Sequence, residues 1–314
     1  MNRRLALALA GLCALALAGL ALTAPERMPE PVSLTALGAE GGTPSATPPP
    51  VASGSSSFGV DPVAPTRASS AEDTRPVRNL GPAAVPPFGT DGDGRPLLAY
   101  ASQGAAVILL PSLVAALVIA GFAVVGGLLR CVGNERVDGA VQSFSEVVGA
   151  LPRMVVVLIV ALVLPSEWRG LMPLALTWAV LSAPGAMDEA ASVAERLGGA
   201  RFVEALRAHG FSWSRIFLYH IVGLNLRPVV VRQAAETAMQ VTFLELSLSY
   251  LAIASNSPSL THRELVKSWA DILYMGYRYP ALGEPTGHAL ALGLGLVGLV
   301  AACALLLTNA ARAR

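Results

Sequence analysis

Several stretches of this chain are long enough to cross a lipid bilayer and carry no charge along their length, which excludes most soluble folds at once. The clearest is GAAVILLPSLVAALVIAGFAVVGGLL, residues 104–129, lying between Gln103 and Arg130. A helix rising 1.5 Å per residue needs roughly 20 apolar residues to span the hydrocarbon core. By that measure spans fall near 5–23, 104–129, 151–165 (with a backward extension toward Val147), 171–187, 228–252 and 287–307. The third and fourth are short, and Pro152, Pro173 and Pro184 are expected near helix ends, where proline is best tolerated. Composition agrees: only 14% of the 314 residues are charged, against about 25% in soluble domains. The chain therefore reads as an all-α membrane protein with six transmembrane helices and both termini inside.

Arginine placement sets that orientation. With the N-terminus inside, the short outer segments hold only Arg169, Arg263, Lys267 and Arg278. The inner segments hold Arg3 and Arg4, Arg130 to Arg153, Arg196 to Arg227, and the C-terminal pair Arg312 and Arg314. This is the positive-inside bias. The first run has the basic start and apolar centre of a signal peptide, yet Leu22 suits a cleavage site poorly and Pro25 would follow the cut. Residues 1–23 are taken as a retained anchor. Residues 24–87, with TPSATPPPVASGSSS at their centre, bury too little apolar surface to offset chain entropy and read as a disordered outer linker. Residues 88–310 form the membrane domain and 311–314 a short inner tail.

Several functions are disfavoured. A net charge of +1 points away from nucleic acid. Cys13, Cys131 and Cys303 lie far apart with no CxxC or Cys/His cluster, so neither a metal centre nor a disulfide framework is expected. The only lysine, Lys267, has no glycine-rich loop before it, so this chain cannot supply the lysine of a nucleotide-binding P-loop. No catalytic residue and no cofactor site is expected.

Between the fourth and fifth spans lies RFVEALRAHGFSWSRIFLYHIVGLN, Arg201–Asn225. Phe202, Val203, Ala205 and Leu206 are expected on one side of a short helix, with Arg201, Glu204 and Arg207 at its edges. Gly198 and Gly199 break the preceding helix, and Gly210 suits the left-handed position that ends this one. Ser212 is placed to cap a second helix, with Phe211 packing on Ile216. A short amphipathic element of this kind either docks a partner or lies on lipid headgroups.

Three stretches carry a family resemblance. Glu204, Ala205, Gly210, Ile216 and His220 match in spacing the cytoplasmic coupling loop of ABC-importer permeases, E-A-A, three residues, G, then I and H. Leu206 replaces the second alanine, and Gly223 and Leu224 stand where proline and asparagine usually follow, with Asn225 one place late. FGTDGDGRP at Phe88–Pro96 resembles the G-T-D-x-x-G-R-D before the second span of the oligopeptide, dipeptide and nickel branch: Gly89, Thr90, Asp91, Gly94 and Arg95 match, and Pro96 replaces the aspartate. FLELSLSYL at Phe243–Leu251 resembles a third family element, A-E-A-x-L-S-F-L-G. The resemblance implies a bacterial inner-membrane importer subunit that works with a second permease, two cytoplasmic ATPases that bind the ATP, and an extracytoplasmic solute-binding protein. It also implies that Glu204, Ala205, Arg207, Gly210 and Ile216 meet an ATPase.

In the fifth span Gln233, Glu236, Gln240, Leu244 and Ser247 fall at steps of three or four and share a face. Intramembrane polar groups are costly, so Gln233, Glu236 and Gln240 are expected to line a solute route. An Arg232–Glu236 pair holding spans together is the structural alternative, and Glu245 points elsewhere, toward packing. Outside, THRELVKSWADILYMG opens with a Thr261–Glu264 capping box and presents Leu265, Trp269, Ile272 and Leu273 on one side. It is expected to rest on the membrane edge or, by the resemblance, to form part of an outer gate. A self-contained carrier or channel and a non-transporting membrane scaffold remain open, and the residues do not name the solute.

Overall fold

The computed structural model describes residues 3–32, 79–132, 135–196, 200–212, 215–255, 258–261, 266–278 and 287–312. Most of the expected linker, Gly198–Gly199, Glu264 and Leu265 lie outside them. The described residues form helices α1 (Arg3–Leu22), α2 (Leu97–Val132), α3 (Glu135–Gly149), α4 (Arg153–Val163), α5 (Leu171–Arg196), α6 (Ala200–Ala208), a π-helix (Ile216–Leu226), α7 (Arg227–Ala254), α8 (Trp269–Arg278) and α9 (Gly287–Arg312). Among them there is no β-strand, only an isolated bridge between Thr90 and Pro96.

Four helical stretches are each long and apolar enough to cross a membrane: Arg4–Leu22, Leu97–Leu129, Tyr219–Ala254 and Gly287–Arg312. Helices α3 and α4, bent by 74° at their junction, make a fifth if read as one broken span. Alone, α4 has 11 residues, about 16 Å of rise, too short to cross. Pro152 stands at its N-terminal boundary with φ −72°, where its missing N–H interrupts no ladder.

The fourth expected span lies within α5. That helix does not stop near Pro184 but runs through it to Arg196. The reason is tertiary. Ala175, Ala179, Ala183, Ala186, Ala190 and Ala194 are buried at steps of three and four, forming a stripe against α2, its main neighbour. Small side chains let two helices approach closely over a long contact, which holds α5 helical past the hydrogen bond lost at the proline.

Helix α2 is central, packing on α5, α7 and α1. Helix α1 lies along α9 and α2, with Ala6, Ala10 and Leu17 buried. Leu110, Leu113 and Leu117 of α2 face outward, as expected of a surface solvated by lipid.

Candidate functional site

Helix α6 is a short projection. Val203 is buried and Phe202 and Leu206 pack on the cluster around Ile216 and Ile221. Glu204, Ala205, Arg207 and Ala208 are exposed, so Ala205 belongs to the outward face with Glu204 and not, as expected, to the apolar side. The termination is as the glycine requires. Gly210 has φ +82°, its N–H donates to the Arg207 carbonyl at 2.8 Å, and the Phe211 N–H donates to the Leu206 carbonyl at 3.2 Å. This pair of bonds is a Schellman motif, and nothing approaches within 4 Å of the position a Gly210 Cβ would take.

The second helix is not α but π, over Ile216–Leu226, and its N-terminal boundary residue Arg215 makes no side-chain cap. The Ile216 N–H donates to the Ser212 backbone carbonyl at 3.0 Å. The wide winding ends where α7 begins, with Pro228 in its first turn, a position that tolerates the missing N–H. The Asn225 side-chain amide donates to the His220 carbonyl at 2.6 Å. Phe211 meets the His220 ring edge-on at 5.2 Å and lies under the Arg215 guanidinium, while Ile216 is fully buried. The loop is thereby clamped to the helix that follows it.

That helix leads to a cavity of about 370 Å³ lined by Arg153, Ser182, Gly185, Glu189, Arg232, Gln233, Glu236, Thr237 and Gln240. The expected face of α7 is there: Gln233, Glu236 and Gln240 all line it, whereas Leu244 is buried and Ser247 exposed on the turns beyond. The Gln240 amide donates to Glu236 at 3.2 Å, and its oxygen accepts from the Trp178 indole at 2.9 Å. The Arg232–Glu236 alternative is not what forms. Arg232 pairs across to Glu189 on α5, and Gln233 donates to the same Glu189 oxygen. Glu189, Arg153 and Trp178 had no signal within the fifth span itself; the hint was an acidic residue at the end of an apolar run, where α5 was expected to have stopped.

A second cavity, about 450 Å³, lies between α2, α3 and α5 and is lined by Gln142, Ser145, Glu146, Asp188, Ser192 and Glu195 among others. Ser145 donates to Asp188 across it at 3.2 Å.

On the other side of the bundle, the Phe88–Pro96 element is a closed turn at the start of α2. Gly89 and Gly94 have φ +84° and +81°, in the left-handed region that glycine tolerates. The buried Asp91 accepts at one carboxylate oxygen from the Asp93 and Arg95 backbone N–H groups, at 2.9 and 2.7 Å, and at the other from the Tyr100 hydroxyl. The Thr90 hydroxyl accepts from the Leu80 N–H at 3.0 Å. These five motif residues thus build a cap and not part of the cavity.

The apolar side of helix α8 packs inward on other helices. Trp269, Ala270 and Ile272 are fully buried against α2, α7 and α9. Its N-terminus is capped reciprocally: the Ser268 hydroxyl accepts from the Ala270 N–H at 3.1 Å while Asp271 accepts from the Ser268 N–H at 2.7 Å; the expected Thr261–Glu264 box includes Glu264, which lies outside the described residues. Thr261 instead bonds Ser249 at 2.6 Å, and Ser249 donates to the fully buried Glu245 at 2.8 Å.

A helical bundle with several bilayer-length segments is the architecture of a multi-pass membrane protein, and a polar cavity lies against one of those segments. No family model matches the chain. It is similar to the probable D,D-dipeptide transport system permease protein DdpC of Escherichia coli strain K12, 23% identical over 226 residues, which are 71% of this chain and 73% of that one. That similarity supports the resemblance to the ABC-importer permeases that the three sequence elements carry.

Proposed function

We propose that this chain is one permease subunit of an ABC importer, with six spans, forming half of a route for a peptide, nickel or similar small solute. The relative's D,D-dipeptide makes a small peptide the first solute to test. The chain pairs with a second permease, two cytoplasmic ATPases and an extracytoplasmic binding protein. ATP is held by the ATPases, and this chain binds no cofactor and performs no covalent chemistry.

One observation carries the reading. The projecting α6 sits in the chain between α5 and α7, the two helices whose polar residues face each other across the cavity. Closure of an ATPase on Glu204, Ala205, Arg207 and Gly210 would displace α6, and the buried Ile216 beneath it would carry that displacement into α7. Packed interiors are nearly incompressible, so such a push is transmitted and not absorbed. Gln233, Glu236 and Gln240 then meet the solute.

The test is retrieval of ATPase subunits with the affinity-tagged chain from its own membranes. Glu204→Arg reverses the charge at one position of the exposed face, and Gly210→Trp adds bulk where nothing else stands. Both are expected to lose most of the ATPase recovered by the parent. Equal recovery by all three chains would remove the coupling role of α6.

A further inference from the structure

We propose that Glu189 and Arg232, with Gln233 as a second donor, form the inner gate of the route, a clasp that ties opening of the cavity to movement of α6. This rests on the permease reading above.

Glu189 lies about two turns before α5 ends at Arg196, and Arg232 lies in the second turn of α7, which begins at Arg227. The bond therefore joins the two helices that flank α6 in the chain. Along α7, Arg232 and Gln233 precede Glu236 by about one turn, roughly 5 Å. Along α5, Glu189 follows Gly185 by the same interval. On both helices the clasp is one turn nearer α6 than the cavity group behind it, so a solute leaving Glu236 toward the α6 side meets this layer first.

The two side chains are 38% and 27% exposed. A pair this wet contributes about 0–1 kcal/mol, too little to be what holds α5 in place when its alanine stripe is buried on α2. A weak bond across a passage closes it when dry and parts readily when water or a polar solute enters. Gln233 donates to the same Glu189 oxygen as Arg232, which gives the closed form one defined geometry.

Both helices pack on α2, α5 the more extensively through its alanine stripe, whereas α7 alone is entered through a π-helix, a winding with longer-range bonds that is found at functional sites. Displacement of α6 therefore shifts Arg232 relative to Glu189 more readily than it shifts Glu189 relative to the bundle.

The experiment uses the full chain in sealed membrane vesicles, with Cys13, Cys131 and Cys303 replaced by serine and a reporter Gly185→Cys behind the clasp. A Cβ at Gly185 meets nothing within 4 Å, so the reporter fits. Labelling by a membrane-impermeant maleimide is followed from each face, and Ala208→Cys marks the face that carries α6. Glu189→Gln and Arg232→Gln, both neutral, are each expected to speed labelling roughly three- to fivefold from the Ala208 face only, the top of the range for such a pair. The exchanged pair Glu189→Arg with Arg232→Glu is expected to return the rate to within about twofold of the parent. Single variants within about twofold of the parent, acceleration from both faces alike, or an exchanged pair as fast as the single variants would each overturn the gate. Monodisperse elution in detergent checks that each variant is folded. Neither ATPase nor solute is needed, so loss of the gate leaves the permease reading standing, and failed ATPase retrieval with responsive labelling removes the permease reading instead.

Discussion

Gly104 on α2 and Trp269 on α8 approach so closely that a Cβ on the glycine would lie 2.3 Å from the indole Cδ1 and 2.8 Å from the tryptophan's backbone nitrogen. The indole N–H donates to the Ala101 carbonyl at 2.8 Å, three residues away on the same helix. The first residue of α8 is thus driven into α2 at a position that has no side chain. Because part of the obstruction is backbone, a substituent cannot be relieved by turning a flexible side chain. Gly104→Val is expected to cost about 1–3 kcal/mol by overpacking, seen as a lower thermal midpoint of the detergent-solubilised protein. A midpoint equal to the parent's would contradict the docking of α8 on α2.

The turn before α2 depends on one carboxylate. Asp91→Ala leaves two backbone N–H groups and the Tyr100 hydroxyl without their acceptor. Bonds to a charged group contribute about 1.5–3 kcal/mol each, so this variant is expected to fall below Tyr100→Phe, which removes only one of the three. The same thermal measurement orders them. If Tyr100→Phe is the lower of the two, the turn is not organised by Asp91.

At Gly210 the constraint is conformational, since space around it is open. A left-handed residue with a Cβ costs about 1–2 kcal/mol, and asparagine is the side chain that tolerates it best. Gly210→Asn is therefore expected to keep α6 intact and retain ATPase retrieval, while Gly210→Val frays the helix end. Limited proteolysis between Arg196 and Arg215 reads the difference: faster cleavage in the valine variant only. Equal cleavage of both would mean that the positive φ is not what ends α6.

The cap of α8 is reciprocal, and reciprocity can be measured. Ser268→Ala is expected to cost about 1 kcal/mol, and Asp271→Ala a similar amount. The double variant is expected to cost clearly less than their sum, because each removes part of one two-bond unit. Strict additivity of the thermal shifts would show two independent bonds.

How much of this was legible beforehand differs by element. The shared face of Gln233, Glu236 and Gln240 follows from spacing along one helix, and all three line the cavity. The stop at Gly210 follows from local backbone preference, and the Schellman bonds form there. Pro184 misleads because its lost hydrogen bond is outweighed by the alanine stripe that α5 buries on α2. Arg232 misleads in the same way: Glu236 is four residues off on its own helix, yet Glu189, 43 residues away, takes the pair. Ala205 faces outward because Val203 takes the buried position on α6.

The sequence by itself determined that this chain lives in a membrane, where the polar projection interrupts its apolar stretches and which residues of α7 share a side; of the six spans it suggested, the described residues give four helical stretches long and apolar enough to cross, or five with the bent pair. Those properties are set by rise per residue, period and the cost of burying charge, all of which act between near neighbours. Only the tertiary structure decided that Glu189 faces Arg232, that Trp269 fills the gap at Gly104 and that α5 continues past its proline. Each of these joins residues on different helices, where the choice among partners is made by close packing, and packing has no counterpart along the chain.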